Sequence, residues 1–137
     1  MIKTRKVIFG FFILFINLRC LSNDMLKASD PIVGKEIFIS CASCHSIKKG
    51  EVSQGSGELK YSGPNLFGVY KRKIASLEDY EYSNALKKHK GKKWTIKELS
   101  KWLKSPSSYA PKTKMKGGGI LDPQDRMDLI RYLMSLK

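Results

Sequence analysis

Apolar residues recur at helical spacing in three parts of the chain. Val33, Ile37 and Cys41 fall on one face of a segment opened by Asp30-Pro31, with Phe38 beside Ile37. Asp can cap a first turn and Pro suits the first helical position, so a helix is expected to begin there. Leu99, Trp102 and Leu103 follow Thr95-Ile-Lys-Glu98, the pattern of a capping box, in a helix expected to stop before Pro106. Leu129, Ile130, Tyr132, Leu133 and Leu136 follow Asp122-Pro123, which repeats the first start signal. The first and last helices each carry a stripe too apolar to leave in water, and these two are expected to cross. Gly34 weakens the first helix; a close approach of another helix and simple chance both account for it.

The segments between are polar and irregular. Residues 48–61 are rich in Gly and Ser with no periodic pattern. Ser62-Gly63-Pro64-Asn65-Leu66 is a turn signal ahead of an apolar patch. Residues 68–93 interleave basic clusters with Tyr70, Tyr80 and Tyr82, and Trp94 follows directly, a pattern that buries rings while charges stay wet. Residues 106–121 hold two Pro and three consecutive Gly and are not expected to be helical.

A chain of 137 residues has room for one domain and a short appendage. Lys3, Arg5 and Lys6 precede the apolar run from Val7 to Leu18, after which the composition turns polar. Residues 1–22 therefore read as a secretory signal peptide, with cleavage near Cys20-Leu21-Ser22. An uncleaved anchor and lipidation of Cys20 are the alternatives; the run falls short of the roughly 20 residues that span a bilayer. Residues 23–29 are expected to be a disordered lead and 30–137 the domain. Export places that domain in the periplasm.

The net charge is +14, from 26 basic and 12 acidic residues. Residues 1–22 hold four of the basic residues and none of the acidic ones, so 22 against 12 leaves +10 on the remainder. That excess suits an anionic membrane or an acidic protein; outside the cytoplasm, with no base-reading module, nucleic acid is not an expected partner.

The candidate chemistry lies in Cys41-Ala-Ser-Cys44-His45. Two thiols three positions apart can hold one flat macrocycle by thioether bonds while the adjacent imidazole binds its metal, and C-x-x-C-H is the signature of covalent c-type haem attachment. A redox disulfide, half of a zinc site and two packed thiols are the competing readings of C-x-x-C alone. With haem, His45 is one axial ligand. Of five methionines, Met1 belongs to the leader, Met25 to the lead, and Met127 and Met134 to the last helix as core filler. Met115 stands in a Pro/Gly loop between lysines, and iron ligation gives it a reason to be there. The Pro64 carbonyl is a suitable acceptor for the second ring nitrogen of a ligating histidine, though an ordinary surface turn also fits that segment. Arg72, Tyr82 and Trp94 are candidate partners for haem propionates. His89, among lysines, reads as solvated.

From Asp30 to Lys137 the sequence resembles the small class I cytochromes c, close to the mitochondrial type and its bacterial relatives. The matching motifs are Gly34-Lys-Glu-Ile-Phe38, Cys41 to His45, Gly63-Pro-Asn-Leu66, Thr113-Lys-Met115 and Asp128-Leu-Ile-Arg-Tyr-Leu133, in family order. The resemblance implies an all-α class I cytochrome c fold, N- and C-terminal helices crossing, wrapped around one haem c. It implies thioethers from Cys41 and Cys44, axial ligation of the iron by His45 and Met115, and a bond from His45 to the Pro64 carbonyl. Arg72, Tyr82, Trp94 and Thr113 match family positions near the propionates. It further implies a lysine ring around the haem edge that meets acidic docking surfaces of membrane redox complexes, quinol–cytochrome c reductase and cytochrome c oxidase, with the protein a monomer.

Three departures stand out. Lys112 occupies a position usually held by Gly, Trp102 one usually held by a Tyr whose hydroxyl lies near the methionine sulfur, and the loop after His45 is longer than in the mitochondrial type. The expected function is a non-enzymatic one-electron carrier of the respiratory chain. A haem peroxidase or sensor with an opened sixth position is the alternative, and Lys48, Lys114 and Lys116 are the lysines expected nearest the exposed edge.

Overall fold

The computed structural model describes residues 24–52, 61–117 and 119–137, so the leader and most of the 48–61 loop lie outside it. Helices account for the regular structure: α1 (Pro31–Phe38), continued by a 3-10 turn (Ile39–Cys41), α2 (Asn84–Lys87), α3 (Ile96–Lys104), α4 (Pro106–Tyr109) and α5 (Pro123–Ser135). Among the described residues the only strand-like pairing is an isolated antiparallel bridge between Lys73 and Lys93. None of their helices is long and apolar enough to cross a membrane.

Both Asp-Pro starts behave as read. Asp30 accepts from the Ile32 amide and Asp122 from those of Gln124 and Asp125, with proline in the first turn of each helix. α1 and α5 cross where Gly34 removes a side chain: a Cβ there would lie 2.0 Å from the Asp128 carbonyl oxygen and 2.9 Å from Tyr132 Cβ. Above and below that contact, Phe38 packs on Tyr132 with ring centroids 5.6 Å apart, and the Asp30 amide donates to Asp128 Oδ1 at 2.9 Å. The Gly34 and Tyr132 faces thus fix how α1 lies on α5.

Four expectations need correction. The buried face of α1 is Gly34 and Phe38, while Val33 is 38% exposed, because the helix turns its glycine toward α5. The lead is not wholly irregular: 24–27 form a helical turn, with Met25 against the core. Pro106 does not keep its segment out of helix. At the first position of α4 it needs no N–H, and Ser105 caps that turn by accepting from the Ser108 amide. The capping box of α3 is half made: Thr95 Oγ1 accepts from the Glu98 amide at 3.3 Å, but the Glu98 carboxylate takes the Tyr109 hydroxyl, and the Thr95 amide donates to Lys93.

Candidate functional site

A cavity of about 520 Å³ opens between the end of α1, the 61–66 turn, α3 and the 113–117 loop. Its size suits a cofactor-scale ligand. Cys41, Cys44 and His45 lie on one wall, Met115 on the loop that completes it, and Leu66, Leu99 and Leu133 supply apolar lining.

The 3-10 turn delivers the thiols. Ala42, Cys44 and His45 donate their amides back to Phe38 and Cys41 carbonyls, keeping the chain coiled through the attachment motif. Both thiols are free, Cys41 half-buried and Cys44 exposed. Burial pushes the Cys41 thiol up, while hydrogen bonds from Ser62 and Ser43 hold that of Cys44 below the usual thiol value.

His45 is held from the opposite segment. Its Nδ1 lies 2.7 Å from the Pro64 carbonyl oxygen, and because a carbonyl only accepts, Nδ1 carries the proton. Nε2 is therefore the nitrogen left with a lone pair. Burial holds the ring below the ordinary histidine pKa, against the raising effect of the Pro64 bond, so the imidazole is neutral at pH 7 as a metal ligand must be. Gly63 makes this approach possible: its amide donates to Cys44 at 2.8 Å, and a Cβ there would sit 2.4 Å from His45 Cε1. The segment is thus more than a surface turn.

On the other side Thr113 is buried, and its Oγ1 accepts from the Met115 amide at 3.4 Å. Lys112 has φ of 66°, so the glycine-type conformation is kept by a lysine. Tyr82, Trp94 and Thr113 line the cavity and are buried. Arg72 lines it too, but its guanidinium is committed to backbone: Nη1 donates to Phe67 and Nη2 to Asn65. It braces the strip carrying Pro64 rather than offering a free cation. Trp102 is on the wall, against Trp94 and Tyr109. His89 is not. It is half-buried and stacks on Tyr109 at 4.5 Å instead of standing solvated among lysines. Lys114 and Lys116 border the cavity and Lys48 does not; Lys114 reaches Glu81, its Nζ 2.7 Å from the carbonyl oxygen and 3.4 Å from the carboxylate.

Two residues that position the site carried no signal read from the sequence. Asn65 ties the loop after His45 to the turn, donating Nδ2 to Lys48 and Glu51 carbonyls and accepting from Phe67. Buried Arg126 gives Nη1 to the carbonyls of Ile120, Leu121 and Asp122, fixing the exit of the Met115 loop onto α5. The polar residue of a Gly-Pro-Asn turn was a usable hint for the first; an arginine one turn into an amphipathic helix is none.

The residues fit a covalent haem. Two thiols on one wall, a neutral imidazole with one nitrogen fixed and one free, and a thioether on the facing loop form a donor set for a single iron macrocycle. Among the described residues no three His, Cys, Asp or Glu side chains gather to hold a metal ion directly, so the zinc reading finds no completing ligands.

Comparison with known proteins agrees. The family model for cytochrome c matches residues 33–137. Cytochrome c of Theileria annulata is 48% identical over 110 residues, covering 80% of this chain and 88% of that one. Cytochrome c of Arabidopsis thaliana is 38% identical over 111 residues, covering 80% and 92%. Among solved structures, cytochrome cH from Methylobacterium extorquens superposes with a TM-score of 0.64 at 34% identity, over 77% of this chain and 97% of that one.

Proposed function

The chain belongs to the cytochrome c family, and on that premise we propose that it shuttles single electrons between membrane-bound respiratory complexes, from a quinol–cytochrome c reductase to cytochrome c oxidase. The class I fold, the covalent haem c and electron carriage come with the family. The donor, acceptor and compartment are our reading: an exported, periplasmic protein that acts as a monomer and not as an enzyme, supported by the basic head and apolar run of residues 1–22 and by the net positive charge of the domain.

Bound haem supplies an iron that stores and releases one electron. Cys41 and Cys44 would hold it through thioethers, and His45 would present Nε2 to the iron because Pro64 occupies Nδ1. Met115 would supply the second protein ligand, a soft thioether that favours the reduced state. Thr113 Oγ1, accepting from the Met115 amide, holds the loop that carries it. Tyr82, Trp94 and Thr113, with Arg72 bracing the strip beside them, line the cavity and are the residues we assign to the neighbourhood of the haem propionates. With His45 and Met115 both taken up by the iron there would be no open site for a substrate, and His89, off the cavity wall, supplies no distal acid or base.

The observation that carries this reading is the 2.7 Å contact between His45 Nδ1 and the Pro64 carbonyl, which has no use in a redox disulfide and is what a ligating imidazole requires. The optical spectrum of the purified oxidised protein tests it. A weak near-infrared band reports a sulfur–iron bond; a high-spin spectrum would overturn the carrier assignment.

A further inference from the structure

The Met115 loop is fastened to α3 at both ends, by different chemistry at each. At its far end the fastening is main chain and arginine. The Ile120 amide donates to the Leu103 carbonyl at 2.8 Å, and a Cβ on Gly119 would lie 1.9 Å from the Lys104 carbonyl oxygen, so backbone rests on backbone. Arg126 adds the Nη1 bonds to Ile120, Leu121 and Asp122 described above. Peptide groups and a guanidinium keep their charge over the pH range in which proteins stay folded.

The near end depends on a carboxylate. α4 leads into the loop, where the Thr113 amide donates back to Ala110 at 3.0 Å and Thr113 Oγ1 accepts from the Met115 amide. Tyr109, the last residue of α4, ties that helix to α3: its ring packs on Trp102 and Trp94, and its hydroxyl donates to Glu98 Oε2 at 2.5 Å. The Glu98 side chain is only 13% exposed, so it is held in place instead of swinging in solvent. Lys92, from the turn after α2, lies 3.8 Å from this carboxylate, as does Lys101 of α3. Lys97 faces it from the same helix, and His89 stacks on the other partner, Tyr109. The Tyr109 hydrogen bond, helped by the lysines, holds the Glu98 carboxyl below the usual range, so it is ionised at neutral pH. Burial, and then Glu98, pushes Tyr109 upward, so the phenol remains a donor.

We propose that Glu98 is a positioning residue for the axial methionine: through Tyr109 it pins the near end of the Met115 loop to α3, and its protonation frees that end alone. The proposal rests on the haem-binding reading above. A hydrogen bond to an ionised carboxylate is roughly twice as strong as one between neutral groups. Protonation therefore weakens the Tyr109 bond and removes the attraction of the three lysines in one step. The far end of the loop is indifferent to that step, and so are the thiols and His45 on the opposite wall. Between the two ends stands Met115, whose thioether would then be held less firmly at the iron. Lys114, in the middle of the loop, reaches the carbonyl oxygen of Glu81 as well as its carboxylate, so its anchorage does not depend on the charge of Glu81.

The test titrates the haem-loaded, oxidised protein downward from neutral pH and reads the near-infrared band beside the helical circular dichroism. At neutral pH it also reads the affinity for imidazole, which competes with Met115 for the iron. In the parent the band is expected to hold down to about pH 5 and to weaken below about 4.3, where carboxylates titrate, while the helical signal stays. Glu98→Gln is expected to show no such step, and to bind imidazole severalfold more tightly than the parent. Tyr109→Phe keeps the stacking and removes the bond from the other side, so it should act in the same direction, and the double variant should go no further than the stronger single one. Glu81→Gln should keep the parent's profile. A parent-like step and imidazole affinity in Glu98→Gln, a step abolished by Glu81→Gln instead, single effects that add in full, or band and helical signal lost together in the parent would each overturn the proposal. If Glu98→Gln does not fold, Tyr109→Phe alone decides: parental imidazole affinity there overturns it. Failure of the haem reading is separate and would take this inference with it: acid-denatured protein would then show no added haem mass.

Discussion

Gly34 of α1 lies against the main chain of Asp128 in α5, so close that a single added carbon would come within 2.0 Å of the carbonyl oxygen. The neighbouring atom is backbone, held in a helix by its own hydrogen bonds, and cannot swing aside. Gly34→Ala is therefore expected to destabilise the protein by about 1–3 kcal/mol despite the better helix propensity of Ala. For a domain of this size that lowers the thermal midpoint by roughly 4 °C or more. A midpoint equal to or above the parent's would show that the helices do not cross there.

The left-handed backbone of Lys112, φ 66°, leads to the opposite prediction. A side chain in that region costs on the order of 1–2 kcal/mol, which glycine avoids. Glycine also raises the entropy of the unfolded chain, by about 0.4–1 kcal/mol. Lys112→Gly is expected to raise stability by roughly 0.5–1 kcal/mol, and Lys112→Val to lower it. Chemical denaturation of both variants checks this; a Val variant as stable as the Gly variant would mean that the loop relaxes out of the left-handed conformation.

Met115 is expected to set the potential. Met115→His keeps the iron six-coordinate but exchanges a thioether for a better donor to the oxidised state, so the potential should fall by an appreciable part of the roughly 0.8 V that axial ligands span. Met115→Ala should abolish the near-infrared band and open the site to peroxide. If both variants keep the parental spectrum and potential, a different side chain is the ligand.

The Glu98–Tyr109 bond should appear in the pH dependence of stability. The Glu98 carboxyl is depressed in the folded protein, chiefly by the Tyr109 hydrogen bond, so its contribution is complete above the unfolded value of about 4.3 and is lost as pH falls through the folded one. Tyr109 is raised, first by burial and then by Glu98, so its contribution is complete below about 10 and is lost only as pH climbs past the folded value. The midpoint difference between parent and Glu98→Gln is therefore expected to be widest between about pH 5 and 9 and to narrow progressively as pH falls below about 4.3. A gap independent of pH would assign the difference to packing.

How legible the molecule was depended on the kind of signal. The attachment motif and the two Asp-Pro caps are local, and their chemistry requires those residues at that spacing, so Cys41, Cys44, His45 and both helix starts could be read directly. The choice of Gly34 over Val33 as the buried face of α1 depends on what α5 presents, namely the Asp128 carbonyl and Tyr132, and no pattern within α1 reveals it. Glu98 matched a capping box because residues 95–98 fit one, yet its carboxylate went to Tyr109, eleven positions on, a contact that only the turn at Ser105-Pro106 creates. Arg126 and Asn65 hold loops by bonding to main-chain carbonyls, which are the same in every sequence and so leave no partner to look for.

The positive rim allows a test of docking that distinguishes one lysine from its neighbour. An exposed ion pair adds below about 1 kcal/mol, so no single lysine holds a partner. Their summed field instead steers encounter, and salt screens it over roughly 8–10 Å. Lys114 and Lys116 both border the cavity, but Lys114 already holds Glu81 while, among the described residues, no ion pair anchors the exposed Lys116. Lys116→Glu should slow electron transfer to a membrane oxidase at low ionic strength and leave the potential nearly unchanged, because charge at the rim changes the approach more than the iron. Lys114→Glu should slow it too, and should also set a like charge beside Glu81, loosening the Met115 loop, so the near-infrared band should weaken in this variant and not in Lys116→Glu. Lys48→Glu, off the cavity wall, and Lys137→Glu, at the chain end, should have smaller effects. Stopped-flow rates against ionic strength decide the matter. Rates flat with salt, or a Lys116→Glu rate equal to that of Lys137→Glu, would show that partners do not dock on this rim.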